Sequence, residues 1–333
     1  MQKKSKGPRL PLPAKLAAVL LELVAVVLAG CLLVFHGPFP TLRRFVVNTA
    51  MATYKHQFIA RMFLSDAEIS KIMNSGTSAK NLTQDMSGVT ISNHGGSTVQ
   101  EYKISGSQYK GYLLIISNPL KVHVGYSSKL GRQGETTSAI AEAHDAIAAI
   151  NGGGFHDVSS GGGLWTGTGA YPTDFLMSGG KVVYRDSGFT DAKKVNVVAL
   201  DSQGKLIVGT HSIAELGKLK VSDAFSFPNG PTLVVNGQAA FSGDGGQGMN
   251  PRTAIGQRKD GSILFLALDG RRLNMLGATL HDIQKIMLDY GAYNATNLDG
   301  GSSTTMYYNG GVVNNPCDML GERTVATAIY AER

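Results

Sequence analysis

The chain has 333 residues, enough for one large domain or two, and its 43% hydrophobic content is ample for a core. Charged residues make up only 17% and glycines number 42, a balance that points to turns and β structure and away from a helical bundle. The net charge of +7 is largely local: Lys3, Lys4, Lys6, Arg9 and Lys15 precede the first apolar segment, the remainder is nearly neutral, and no basic, aromatic-interleaved stripe marks a nucleic-acid partner.

In chain order, residues 1–15 read as a basic cytoplasmic tail and residues 16–36 as a transmembrane anchor. Leu16 to Phe35 contains a single charged residue, Glu22. Such a helix spans a hydrocarbon core of about 30 Å. The basic residues ahead of it favour a cytoplasmic N-terminus, which predicts a single-pass protein of the cell membrane with its C-terminal domain outside the cytoplasm. A cleaved signal peptide is one competing reading. Another is a lipoprotein modified at Cys31, because Leu28-Ala29-Gly30-Cys31 is similar to a bacterial lipobox; the apolar run continuing through Leu32 to Phe35 favours the uncleaved anchor. Cys31 lies inside the apolar segment, so a disulfide to Cys317 is not expected. No Cys-x-x-Cys or zinc-ligand spacing is present, so no metal site is assigned. An extracytoplasmic protein without disulfides is compatible with a Gram-positive bacterial surface.

Residues 37–100 read as a helical stalk and linker. Gly37-Pro38-Phe39-Pro40 breaks the anchor, Ser65 to Glu68 carries a helix-start signal, and residues 74–100 are rich in Ser, Thr, Asn and Gly. Residues 101–333 form the body. Strands are predicted at 111–116, 122–126, 181–185, 195–200, 205–209, 232–235 and 263–268, and helices at 137–148 and 280–290. Asn236-Gly237 and Asn309-Gly310 are hairpin signals. The fold class is α+β, mostly antiparallel β-sheet with a few packed helices, preceded by the N-terminal transmembrane helix. Leu268-Asp269-Gly270 recurs as Leu298-Asp299-Gly300, either as two strand ends at one rim or by chance.

The segment Asn297 to Met306 is the most informative part of the chain. A strand-like approach ends on Asp299, two glycines follow, and then four hydroxyl side chains from Ser302 to Thr305. Glycine lets backbone approach a ligand closely, hydroxyls bond sugar or phosphate, and a carboxylate there is suited to acid–base or nucleophilic work. The plainer reading of Asp299-Gly300 is a hairpin turn. Four other segments combine glycine-permitted or polar backbone with polar side chains: Asn151 to Phe155, Asn250 to Gly256, Asp269-Gly270-Arg271, and Gly321 to Val325.

Taken in order, these segments resemble the phosphodiester glycosidase family over about residues 110–333, with Asn250 to Gly256 and Asn297 to Gly301 as the specific part. The resemblance implies hydrolysis of a sugar–phosphate bond. Departures lie at Gly154, where the family usually has an aromatic; at Ser302, where a third glycine is common; and in a Gly-rich insert, Ser159 to Gly169, ahead of Tyr171 to Asp174. These fall in the expected substrate pocket and bear on substrate identity more than on reaction class.

A phosphodiester matches arginine, which binds it bidentately and keeps its charge. Glycosidic cleavage passes through an oxocarbenium-like state and commonly uses two carboxylates; with phosphate as a good leaving group, one suffices. The catalytic candidates are therefore Asp299 as nucleophile or base, with Asp174 and Asp269 as weaker second carboxylates. The substrate-binding candidates are Asn151, Gly152, Gly153, Arg252, Thr253, Gly300, Gly301, Ser303, Thr305 and Arg323, with Arg252 and Arg323 on phosphate. Structural alternatives stand beside them. Arg252 is a candidate to pin a loop, Asp269 to shape a turn, Trp165 to pack in the core, and Cys317 to be a buried thiol. His156 has no visible partner. No cofactor is required, and a structural divalent cation such as calcium is compatible with the pattern.

The function expected is an extracytoplasmic hydrolase that cleaves the sugar–phosphate bond of a glycosyl-1-phosphodiester in a surface glycan or exopolysaccharide. Two rivals are a non-catalytic glycan-binding or wall-polymer assembly protein on the same fold, and a metal-dependent phosphodiesterase using Asp269, Asp299 and His156.

Overall fold

The computed structural model describes residues 11–51, 56–156, 168–318 and 320–333. Most of the predicted basic tail and most of the Gly-rich insert, with Trp165, lie outside the described residues. The architecture is mostly antiparallel sheet with seven α-helices among the described residues.

A seven-stranded antiparallel sheet runs in the order Gln238–Ala239, Thr232–Val235, Ala292–Asn297, Arg252–Arg258, Ile263–Asp269, Lys110–Ile116 and Val99–Ser105. A five-stranded sheet has the order Gly311–Val312, Met306–Tyr308, Ala146–Asn151, Thr327–Glu332 and Val122–Tyr126. The third, also five-stranded, has the order Lys181–Arg185, Phe175–Ser178, Val221–Ser226, Val195–Asp201 and Leu206–His211.

Alternation along the strands explains how these sheets stack. Phe265 and Ala267 point into a central core that also takes Val124, Ile150 and Ile329 from the second sheet and Leu176, Val198 and Phe225 from the third. Their neighbours Leu264, Leu266 and Leu268 face the other way, onto Leu280, Ile283, Ile286 and Met287 of the helix Leu280–Asp289. Each such buried side chain contributes about 1.5–3 kcal/mol over an exposed one. The helix is the one predicted at 280–290, capped reciprocally by Thr279 and Asp282.

Local turn chemistry places several hairpins as read. Asn236 and Gly237 have φ of 54° and 74°, and Asn309 and Gly310 have 50° and 94°, the double positive φ of a tight two-residue hairpin. The helix predicted at 137–148 is shorter. Thr137–Ala143 is helical, Asp145 takes a φ of 47°, and Ala146–Asn151 is a strand buried between two neighbours. Alanine favours helix locally, but tertiary pairing on both edges outweighs that preference.

The helix Leu12–His36 is long and apolar enough to cross a membrane, and almost none of it is covered by the rest of the chain. Phe35 at its end is buried and stacks on Phe63 at 4.7 Å, inside a cluster formed with the helices Pro40–Met51, Gln57–Arg61 and Asp66–Asn74. Ser65 and Glu68 form the capping box of the last of these. This helical arm packs on the glycine-rich loop 243–248: Arg44 pairs with Asp244 at 3.4 Å, and a Cβ at Gly248 would stand 3.1 Å from the backbone of Asn48.

Candidate active site

Three adjacent strands set the position of the site. Ile263–Asp269 and Ala292–Asn297 both pair antiparallel with Arg252–Arg258 between them, so their C-terminal ends and the start of the middle strand meet at one rim. The two Leu-Asp-Gly segments are thus strand ends at a common edge. Leu298 stays in the core, its N–H bonded to the Thr253 carbonyl at 2.8 Å, and the chain then leaves the sheet at Asp299.

Neighbouring backbone holds the Asp299 loop in place. The Asp299 N–H donates to the Gly152 carbonyl at 3.1 Å and the Gly301 N–H to the Pro251 carbonyl at 2.9 Å, before the short 3-10 turn Gly301–Ser303. Contacts this close exclude side chains. A Cβ at Gly152 would stand 2.4 Å from Thr327 Oγ1, and one at Gly300 2.6 Å from the Pro251 carbonyl oxygen. Gly153 is similarly confined by Phe225, and its N–H donates to Thr327 Oγ1 at 3.1 Å.

Asp299 keeps an accessible face although it sits deep among protein atoms. Burial pushes its carboxyl above the usual carboxylate range. Opposing that shift are the nearby Ser303 hydroxyl, the positive charge of Arg323, the Gly300 N–H at 3.0 Å from Oδ1, and the charge of Arg271. The Ser303 hydroxyl stands close to Asp299, yet no group meets hydrogen-bond geometry with it among the described residues. The same holds for the buried hydroxyls of Thr304 and Thr305. Buried polar atoms without partners are costly.

Two arginines frame this carboxylate. Arg323 donates to Ser302 Oγ at 3.2 Å, and its guanidinium lies 4.8 Å over the Phe155 ring. Arg271 bonds Asn250 Oδ1 through Nη2 at 3.1 Å, and its Nη2 would stand 2.8 Å from a Cβ at Gly301, whose φ is +63°. The half-buried thiol of Cys317 lies beside Arg271, and burial raises its pKa.

Other expected site residues make contacts within the protein. Arg252, expected on phosphate, is held by protein oxygens in this structure. Its buried guanidinium bonds the Ala278 carbonyl, Gln247 Oε1, and the carbonyls of Gln247 and Gly248, at 2.8–3.1 Å. Burial, followed by the charge of Arg271, lowers its pKa to about 10. It therefore pins the loop on which the helical arm rests. Asn151 and Thr253 are likewise turned inward. Asn151 Nδ2 donates to the Asp299 carbonyl at 2.7 Å, while its Oδ1 accepts from Thr253 Oγ1 at 2.7 Å and from the Thr305 N–H at 3.1 Å. These three bonds make the Asn151 amide a positioning element of the loop.

Asp269 is buried, and its carboxylate accepts from Asn314 Nδ2 at 2.9 Å and from the Asn315 N–H at 3.0 and 3.1 Å, which anchors the 314–315 turn. Asp174 has a φ of 54°, and its carboxylate accepts from Ser226 Oγ at 3.0 Å and faces Lys193 at 3.8 Å. The Ser226 contact ties it to the third sheet.

His156 has a partner that sequence spacing did not reveal. Its Nε2 lies 2.8 Å from Asp186 Oδ2, thirty residues along the chain, and Tyr184 donates to the other oxygen at 2.7 Å. Arg271 follows Asp269-Gly270 directly, so its place within a candidate segment was a usable signal. Asp186 follows an ordinary strand and carried none.

Three comparisons bear on this arrangement. The family model for phosphodiester glycosidase matches residues 144–332. The SPbeta prophage-derived uncharacterized protein YomE of Bacillus subtilis (strain 168) is 40% identical over 78 residues, 23% of this chain and 12% of its own. The N-acetylglucosamine-1-phosphodiester alpha-N-acetylglucosaminidase of Bos taurus is 34% identical over 70 residues, 21% of this chain and 13% of its own. The chain thus spans only 12% and 13% of the length of these relatives. The catalytic domain of the zebrafish enzyme of that name, auto-inhibited by its pro-peptide, shares the fold with a TM-score of 0.58 at 20% identity, over 77% of this chain and 87% of that one.

Proposed function

The chain belongs to the phosphodiester glycosidase family, and we propose that it hydrolyses the sugar–phosphate bond of a glycosyl-1-phosphodiester in a surface glycan or exopolysaccharide, outside the cytoplasm and held at the membrane by Leu12–His36. The observation that carries this reading is the setting of Asp299: one carboxylate framed by Arg323 and Arg271, with the Gly300 N–H on its Oδ1 and the Ser303 hydroxyl beside it. Paired guanidinium groups suit a phosphodiester.

In the reaction, Arg323 and Arg271 hold the phosphate and stabilise the charge that grows on it as the C–O bond breaks. Asp299 supplies the negative charge facing the anomeric carbon as it becomes oxocarbenium-like.

The test is turnover of N-acetylglucosamine-1-phosphodiester and related sugar-1-phosphodiesters in oxygen-18 water, using the full chain in detergent beside Asp299→Asn. The expected result is label in the released sugar and none with the variant. Label in phosphate would move the chain to phosphorus–oxygen cleavage; glycan binding without turnover would make it a binding protein.

A further inference from the structure

Replacing phosphate by water at the anomeric carbon releases a proton, and Asp299, framed by two arginines, is placed to face the sugar. A second titratable cluster stands on the same run of chain. Asn151 to His156 leaves the rim where Gly152 accepts from Asp299, passes Phe155 under Arg323, and ends on His156. The backbone there is set by the His156 N–H bond to the Tyr171 carbonyl at 2.8 Å and by the Phe155 to Pro172 bridge.

The imidazole is oriented from behind. Asp186 Oδ2 receives Nε2 of His156 and the Asp174 N–H, each at 2.8 Å, and Oδ1 receives the Tyr184 hydroxyl at 2.7 Å. Burial raises the Asp186 carboxyl, but these donors outweigh it and hold the group below the usual carboxylate range. An ionised carboxylate at Nε2 keeps the ring hydrogen there and leaves Nδ1 as the acceptor. The His156 side chain is 44% exposed, so water has access to it. An imidazole fixed by a carboxylate at one nitrogen, on a side chain that water reaches, is the arrangement of a general base.

We propose that His156 is the base that takes the proton of the hydrolytic water, with Asp186 as its positioning residue and Tyr184 steadying Asp186, an assignment that rests on the glycosidase reading above. The water oxygen forms its bond to the anomeric carbon as the electron pair of the carbon–oxygen bond leaves with phosphate. The water proton passes to His156 Nδ1 and then to solvent, so the products are the free sugar and a phosphomonoester dianion.

Azide tests this directly, because it attacks the anomeric carbon without needing a base. The full chain in detergent is assayed on N-acetylglucosamine-1-phosphodiester with and without azide, as wild type, His156→Ala, Asp186→Asn and Tyr184→Phe. The expected result is a loss of about a hundredfold in His156→Ala, restored by azide with glycosyl azide as product, and a smaller loss in Asp186→Asn relieved in the same way. A His156→Ala enzyme with the wild-type rate, or one that melts as wild type but is not rescued and forms no glycosyl azide, overturns the proposal. Should His156→Ala fail to fold, His156→Gln carries the same readout. Wild-type chain that turns over no sugar-1-phosphodiester overturns the glycosidase reading itself, whereas active wild type with unaffected variants overturns only the assignment of His156.

Discussion

The Asn151 side-chain amide donates to the backbone carbonyl of Asp299 at 2.7 Å, joining the end of a strand in one sheet to the loop that leaves another. The same amide accepts from Thr253 and Thr305, so one buried asparagine connects three segments that are far apart in the chain: its own strand end, the strand carrying Thr253, and the 299–305 loop. The site is assembled at this junction.

Asn151→Ala removes three hydrogen bonds and strands buried partners, which is expected to cost about 2–4 kcal/mol. The loss should appear as a lower urea midpoint together with reduced turnover. A midpoint equal to wild type would show that the junction does not hold the loop.

The two arginines should separate by phenotype. Arg252→Lys loses hydrogen bonds to buried carbonyls and should destabilise by about 1.5–3 kcal/mol, with the KM for phosphodiester little changed. Arg323→Ala should lower kcat/KM about 100-fold or more with nearly unchanged melting. The reverse pattern would return Arg252 to the phosphate.

Asp299 has a carboxyl raised by burial, so the folded state retains its proton to a higher pH than the unfolded chain does. Stability contributed by this group therefore falls as pH rises from about 3.9, the unfolded value, through the folded pKa. Asp299→Asn should be inactive yet more stable than wild type at pH 7, with the difference disappearing below the unfolded carboxyl range. Paired thermal melts at pH 3 and pH 7 check the sign.

Gly152→Ala places a methyl 2.4 Å from Thr327 Oγ1 and 2.9 Å from the Thr327 carbonyl oxygen. Overpacking of this kind costs about 1–3 kcal/mol, and backbone on one side gives little room for relief. A denaturation midpoint unchanged by the substitution would contradict the close approach at the rim.

If Leu12–His36 crosses the membrane, the full chain sediments with membranes and resists carbonate extraction, and protease added to intact cells reaches its C-terminal domain. Leu20→Arg with Val24→Arg should release it, because each charge at the centre of a span costs about 2.5–3.5 kcal/mol on insertion scales. Membrane retention of that double variant would place the attachment elsewhere.

Sequence by itself determined what neighbouring residues decide among themselves. The paired positive φ of Asn236-Gly237 and Asn309-Gly310, the Ser65–Glu68 capping box, the apolar face of Leu280–Asp289 and the ordered segments of the family were legible because their signals span a few residues. The helix read through Ala148 failed at the point where strand pairing on both edges overrode alanine's preference. Tertiary structure alone decided which polar groups meet. It turned Arg252 and Asn151 inward to protein oxygens, spent Asp269 on a turn, brought Arg271 to Gly301, and gave His156 a carboxylate thirty residues away. Hydrogen-bond donors and acceptors act over about 3 Å, and that separation between distant parts of a chain is set by how the sheets pack.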